Sequence, residues 1–508
     1  MNLMIQPNQI CLIVKLYNNR PELLPDSNDK IYLIMFDQSF SAENYLSIFQ
    51  EENRKGHIAF DDMPDLYRNI VMEMKAMRSR VNEITKKKKS DRTENEISEL
   101  EILKLSIKAK QADRDNELYK ELNEYAQIAN NKKFTFSISN YIEDDKQIFK
   151  IDTSKWENFY AMKNLQRTLS GLFNVKQANK HQIMSNVKLL LNTTTPFYLI
   201  RTDITGFFES IPQQPLLDKI NANNLVNNKT KGMIKGVLSE YNKQKGLNKI
   251  KADCGVPRGI GISSYLSEIY MHDIDQRIRN RENVVFYARY VDDILIVLAG
   301  LPNGQSISGY YKELIKLFQN YGLEIKKNNP VEDKCNLIDF YNSTRISQFT
   351  YLGYKITISK PKSEINVEFG MSDKKIEKIK HKIDAAFAHF ERISAINLKQ
   401  AKKDLLDSLN LISGNYRLTK SKERVKTGLF FGSDLLTDYN DLDNLTSYLS
   451  SKEIVPYSEV LKRSPDREKY INSIKKKVDE INFQQRWHDQ VMYKFSPQRI
   501  AEISEWLS

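Results

Sequence analysis

Residues 284–298 read VVFYARYVDDILIVL, two apolar runs with a pair of carboxylates between them. Phe286 to Tyr290 and Ile294 to Leu298 have the length and composition of buried strands, and only Val291-Asp292-Asp293 separates them. So short a link predicts a hairpin with its acids at the tip. Adjacent carboxylates beside a core repel each other and are costly to desolvate. A divalent cation removes that objection. Mg2+ prefers hard oxygen ligands, uses one or two carboxylates, and completes its shell with water and substrate phosphates.

Working outward, a further acid, Asp203, closes the strand-like run Phe197-Tyr198-Leu199-Ile200 through Arg201-Thr202. Two ions ~3.5–4 Å apart among such acids can activate an attacking 3′-hydroxyl and stabilise a leaving pyrophosphate. A lone Asp-Asp in a turn carries little information, because turns favour aspartate. Here it is accompanied. The segment Arg201 to Ile211, RTDITGFFESI, resembles the first palm motif of reverse transcriptases. Gly255-Val256-Pro257-Arg258-Gly259, with Ser263 downstream, resembles their second, and Tyr290-Val291-Asp292-Asp293 matches the Tyr-x-Asp-Asp box. Tyr321-Gly322-Leu323, with lysines behind it, resembles the fourth motif, and Tyr351-Leu352-Gly353-Tyr354 resembles the primer-grip hairpin. All stand in the family's order across residues ~160–358.

The resemblance implies roles residue by residue. Asp203, Asp292 and Asp293 are the expected catalytic residues, with metal contact at Asp203, Ile204, Asp292 and Asp293. Asp203 and Asp292 would bridge two Mg2+ ions, with Mn2+ as the alternative, and Asp293 would complete or tune the site. Phe208 falls where the family keeps an aromatic steric gate, whose ring would clash with a ribose 2′-hydroxyl. Gly255, Pro257 and Gly259 would shape a loop under the incoming base. Arg258 stands where many relatives carry Gln, and Ser264 replaces a frequent proline; an arginine there could contact the triphosphate or template. Lys180, with Arg201 and Arg167 behind it, is the expected triphosphate cation. Lys327 and Lys334 both fit a lysine that protonates pyrophosphate. Tyr290, Tyr351 and Gly353 are expected at the nucleic acid.

The chain is long enough, at 508 residues, for two or three domains, and 26 Tyr with 23 Phe can fill large cores. A formal charge of +12 suits a polyanionic partner, although a basic but ordinary protein would carry it too. Cys11, Cys254 and Cys335 are odd in number and far apart, which supports neither a disulfide framework nor a zinc knuckle. His381 and His389 read as surface or core residues rather than ligands. No signal peptide or membrane-length apolar run is evident, so a reducing, cytoplasmic location without membrane contact is expected.

Organisation follows a similar logic. Ile10 to Leu16 and Ile31 to Phe36 read as strands. Leu66 to Ala129 is helical and highly charged, with Ile97, Leu100, Leu103 and Ile107 at helical spacing. It reads as a solvated helical hairpin, or else as an RNA-gripping arm or a coiled-coil contact. Residues 262–281 form an amphipathic helix, Phe349 to Ile358 a strand pair, and the chain beyond Met371 is almost wholly helical in pattern. The expected divisions are an N-terminal extension over 1–145, fingers and palm over 146–370, and a helical thumb-like domain over 371–508. The fold class is therefore α+β, a right-hand polymerase. In the C-terminal region, Arg417, Lys420, Lys422 and Arg424 precede Phe430 and Phe431, a pattern suited to single strands or simply to a basic loop.

No retron-type Asn-Ala-x-x-His element, zinc-binding or His-Asn-His endonuclease tail, or evident ribonuclease H module is visible. That layout is similar to the abortive-infection and defence-associated reverse transcriptases of bacteria, often called the unknown groups. The resemblance implies RNA-directed DNA synthesis from dNTPs in anti-phage defence, with a template or scaffold RNA and a DNA product. A second copy of the chain or a companion defence protein is a further expected partner. Template-independent or protein-primed synthesis is the alternative within the enzyme class, and a non-catalytic nucleic-acid-binding scaffold the alternative outside it.

Overall fold

The structure, a computed structural model, describes residues 37–175, 178–192, 195–245, 253–327, 334–341, 346–359, 365–418, 425–455 and 467–507. The strand-like runs expected before residue 37, together with Cys11, Lys420, Lys422 and Arg424, lie outside the described residues.

The acidic hairpin sits in an antiparallel sheet of β3 (Tyr198–Asp203), β4 (Val284–Tyr290), β5 (Asp293–Leu298) and β6 (Asn336–Asp339), in the order β4-β5-β3-β6. Strands β3 and β5 read as continuous apolar runs because both faces of the sheet are covered. Ile200, Ile294, Ile296 and Leu298 point into one core, while Leu199, Leu295 and Val297 point into another. A side-chain period of two makes that division automatic, and it fixes the register. Asp203 consequently lies opposite Asp293.

The first core is completed by helices. Ala42–Arg54, Trp156–Phe173 and Ser263–Arg279 contribute Tyr45, Leu165, Leu169, Leu266, Ile269 and Ile274 to it. The expected helical hairpin is present as Asp65–Thr85 and Glu94–Asn130. Thr93 and Glu96 form a capping box at the start of the second helix. Ion pairs Arg80–Glu99 (2.7 Å) and Lys110–Glu73 (2.7 Å) join the two arms. Leu100 is buried but Ile97 is exposed, so the expected apolar stripe is only partly covered.

The second core joins the four-stranded sheet to the C-terminal region. A three-stranded sheet of β7 (Ser347–Tyr351), β8 (Tyr354–Ser359) and β9 (Asn366–Met371) packs against helices Asp373–Ser394, Leu398–Ser413 and Asn440–Ser450. Helix Lys180–Leu191 enters the same core through Met184, Val187 and Leu191. The C-terminal part is helical as expected, with one exception, the ribbon β10 (Asn415–Arg417) and β11 (Lys426–Gly428).

Hydrogen-bonded ladders cross both expected domain divisions. The 145/146 division falls between the turn residues Asp144 and Asp145 of the hairpin β1 (Ile138–Glu143) and β2 (Lys146–Ile151), whose ladder runs unbroken from Ile138↔Ile151 to Glu143↔Lys146. The 370/371 division falls within β9, where Gly370 and Met371 pair with Lys355 and Tyr354. Neither ladder could be cut without exposing backbone hydrogen-bonding groups. His389 is a core residue. It stacks on Trp506 at 4.0 Å and bonds Asp404.

Candidate active site

The hairpin tip is tighter than its sequence implies. Tyr290 pairs with Asp293, leaving Val291 and Asp292 as a two-residue loop. Val291 has φ +60°, a conformation that normally takes glycine and is costly for a β-branched side chain. Arg289 offsets that cost. Its guanidinium is buried and donates to the Val291 carbonyl (2.9 Å), to Glu268 (2.7 and 3.0 Å) and to Asp275 (2.7 Å). Glu268 and Asp275 sit on the Ser263–Arg279 helix, so that helix aims the turn. Backbone bonds tie the acids further. Ile204 N–H donates to the Asp292 carbonyl (3.1 Å), and Lys326 N–H to the Asp203 carbonyl (2.9 Å).

Electrostatics mark the cluster as short of positive charge. Burial, then the charges of Asp292 and Asp293, push the Asp203 carboxyl up to about 6, against the opposing pull of Lys334 and Arg201. Asp293 is also raised, by burial first, although Arg201 donates to its Oδ1 at 3.1 Å. The donor set is all oxygen, the chemistry Mg2+ selects. Ile204 could add only its backbone carbonyl, since its side chain carries no donor atom. Among the described residues no three His, Cys, Asp or Glu side chains converge as a ready-made cage. Mg2+ needs none, because one or two carboxylates suffice when water and phosphates fill the remaining positions. Asp203 and Asp292 fit that requirement.

Three residues expected at the nucleotide meet other parts of the chain. Arg201 is not a free triphosphate cation, because it is buried within β3 and serves as the counter-ion of Asp293. Arg258 is already engaged. It makes a two-pronged ion pair with Glu209 (2.9 and 3.0 Å) and lies over the Phe208 ring, 5.1 Å from its centroid. Gly259, at φ +96°, faces β2 rather than open space, since a Cβ there would fall 2.6 Å from the Phe149 carbonyl. Arg167 reaches Ser47 at 2.9 Å on a neighbouring helix. Burial pulls the Lys180 amine down from its ordinary value, against the opposing charge of Asp293. Of the two lysine candidates, Lys334 has its Nζ 3.8 Å from Asp203 Oδ2, whereas Lys327 is exposed with no such pairing.

The nucleic-acid side is mixed. Tyr351 has its side chain fully buried in the second core, and among the described residues its hydroxyl meets no hydrogen-bond partner. Tyr290 is half-buried against that core. Gly353 occupies a two-residue turn with Leu352, both at positive φ, and the Lys180 ammonium lies 3.3 Å from where its Cβ would be. Arg417 is exposed and pairs across the ribbon with Lys426, whose ammonium lies 5.5 Å from the Phe431 ring. Three residues escaped sequence reasoning: Glu209, Arg289 and Lys375. The amine of Lys375 donates to the Gly432 carbonyl (2.6 Å), and burial together with neighbouring Lys180 pulls it down to about 8. Only Glu209 had a usable signal, as an acid beside the expected gate with an unusual arginine in the next motif.

Comparison with known proteins follows the same outline. The family described as Reverse transcriptase (RNA-dependent DNA polymerase) matches residues 129–356, a span that covers β1 to β7 and ends within β8. No curated protein matches. Among solved structures, apo telomerase from Candida tropicalis truncated from its C-terminal domain is 15% identical, with TM-score 0.32, over 47% of this chain and 56% of that one. Candida albicans telomerase in complex with a TWJ fragment of telomeric RNA is 12% identical, with TM-score 0.32, over 77% and 65%. Apo telomerase from Candida tropicalis is 12% identical, with TM-score 0.33, over 73% and 60%. The chain thus spans 56%, 65% and 60% of the lengths of these neighbours. Among the described residues, no helix is long and apolar enough to cross a membrane.

Proposed function

We propose that the chain is an RNA-directed DNA polymerase that makes cDNA from dNTPs by two-metal nucleotidyl transfer. One observation carries the reading. Asp203 and Asp293 face each other across neighbouring strands, with Asp292 in the adjoining turn, and burial beside these two acids pushes the Asp203 carboxyl up to about 6. When bound at Asp203 and Asp292, Mg2+ would supply the charge that lowers the barrier to in-line phosphoryl displacement. The chain's own residues do the rest. Arg201 fixes the Asp293 carboxylate, Lys334 stands beside Asp203, and Lys180 places an amine beside the Leu352-Gly353 turn. Phe208 would exclude ribonucleotides.

The finer reading, a bacterial anti-phage defence enzyme working with a non-coding RNA, rests on layout. A helical N-terminal extension precedes the palm, and a C-terminal region of mostly helical pattern follows it. Incubating the purified chain with dNTPs, Mg2+ and its co-purified nucleic acid, then sequencing template and product, tests both levels. DNA complementary to a co-purified RNA supports the proposal. DNA without such a template would favour template-independent or protein-primed synthesis, and no synthesis at all would favour a non-catalytic scaffold.

A further inference from the structure

The loop carrying Arg258 is stitched to the segment carrying Phe208. Val256 N–H donates to the Phe208 carbonyl (2.7 Å), and Gly255 N–H donates to the Ile211 carbonyl (2.7 Å). Gly255 has φ +91°, and a Cβ there would lie 2.6 Å from the Tyr241 hydroxyl and 3.0 Å from the Glu209 carbonyl, so the two strands of chain are in close backbone contact. On the other side, Phe149 N–H donates to the Arg258 carbonyl (2.7 Å). The backbone of both segments is therefore fixed before any side chain is considered.

Three side chains then close over this base. Phe207 meets the Phe208 ring at 5.4 Å. The Arg258 guanidinium covers the ring at 5.1 Å while gripping Glu209 with two parallel hydrogen bonds. Both partners are largely shielded from water, and Asp292 lies close enough to help keep Arg258 charged. A two-pronged arginine–carboxylate pair restricts rotation far more than a single contact, and a planar guanidinium stacks on an aromatic face as an ammonium cannot.

We propose that the Glu209–Arg258 pair is a brace that holds the Phe208 ring in position and so sets how strictly the site rejects a ribose 2′-hydroxyl. This rests on the polymerase reading above. Arg258 and Glu209 are positioning residues that act through the ring, so an arginine in place of the family's usual glutamine becomes a specificity determinant. Without the brace, Phe208 keeps its backbone position but gains rotamer freedom, and the gate loosens rather than disappears.

The test is single-nucleotide incorporation kinetics with the full chain, comparing kcat/KM for a dNTP with that for the matching rNTP. R258Q and E209Q should each raise the relative efficiency for the rNTP about tenfold. R258K keeps the charge but not the fork or the flat face, so it should fall between R258Q and the unmodified chain. The double variant F208V/R258Q should be no less selective than F208V alone, because both changes act on one ring. Unchanged selectivity in both R258Q and E209Q, with melting temperatures near that of the unmodified chain, would overturn the brace. So would a multiplicative loss in the double variant. An unmodified chain that incorporates dNTPs while these variants stay selective refutes the brace alone, whereas one that incorporates neither substrate refutes the polymerase reading with it.

Discussion

Replacing Asp203 with asparagine should abolish synthesis and yet make the metal-free protein more stable. Asp203 is 9% exposed, and its carboxyl is pushed from the ordinary value of 3.8 up to about 6. Each pK unit corresponds to ~1.4 kcal/mol, so keeping Asp203 ionised at pH 7.5 costs the fold at most ~3 kcal/mol. Residual solvent access reduces this to roughly 1–2 kcal/mol. An amide of the same shape removes that cost. Thermal melting in EDTA should therefore show the variant's midpoint about 2–5 °C higher. The pH dependence has a definite sign. The unfolded chain releases this proton near 3.8 and the folded chain near 6, so the folded state binds more protons between them. The associated stability is present below pH 4 and lost as pH rises through about 6, and the gap between variant and unmodified chain should open across that window. Adding Mg2+ should raise the unmodified chain's midpoint and leave the variant nearly unmoved. A variant that melts below the unmodified chain in EDTA at pH 7.5 would refute the reasoning.

Arg289→Met strips the partner from Glu268 and Asp275 and from the strained Val291 carbonyl, and the stranded acids should destabilise the fold by ~3–5 kcal/mol. Denaturant titration measures this, and a loss under ~1 kcal/mol would mean the turn is held by something else. Lys334→Met should lower the single-turnover rate by about 100-fold or more, while Lys327→Met should leave it within about threefold. Equal effects from the two would remove Lys334 from the site.

The four-stranded sheet and its acidic turn could be read from sequence because their signals are local. Alternation, a two-residue turn and acids at strand ends all lie within a few positions of one another, and β3, β4, β5 and the Ser263–Arg279 helix appear where expected. What escaped depends on distant partners. Arg201 and Asp293 are 92 positions apart, so nothing near Arg201 announces that it is already paired. Tyr351 sits in a motif-like hairpin, but its burial is decided by helices far along the chain. Strand β6 is short, and polar residues and glycine interrupt the apolar pattern of β9, so both depend on the ladders their neighbouring strands supply. Changes in composition at 145 and 370 do not track hydrogen-bonded ladders that cross those points.

The central claim is that Asp203, Asp292 and Asp293 form one metal-dependent polymerising centre. The most direct measurement is Mg2+-dependent dNTP incorporation by the Asp292→Asn/Asp293→Asn chain beside the unmodified one, with RNA binding measured on the same samples. The account predicts incorporation by the unmodified chain, its loss in the doubly substituted chain, and RNA affinity unchanged within a few-fold. Full residual synthesis by the substituted chain would contradict it.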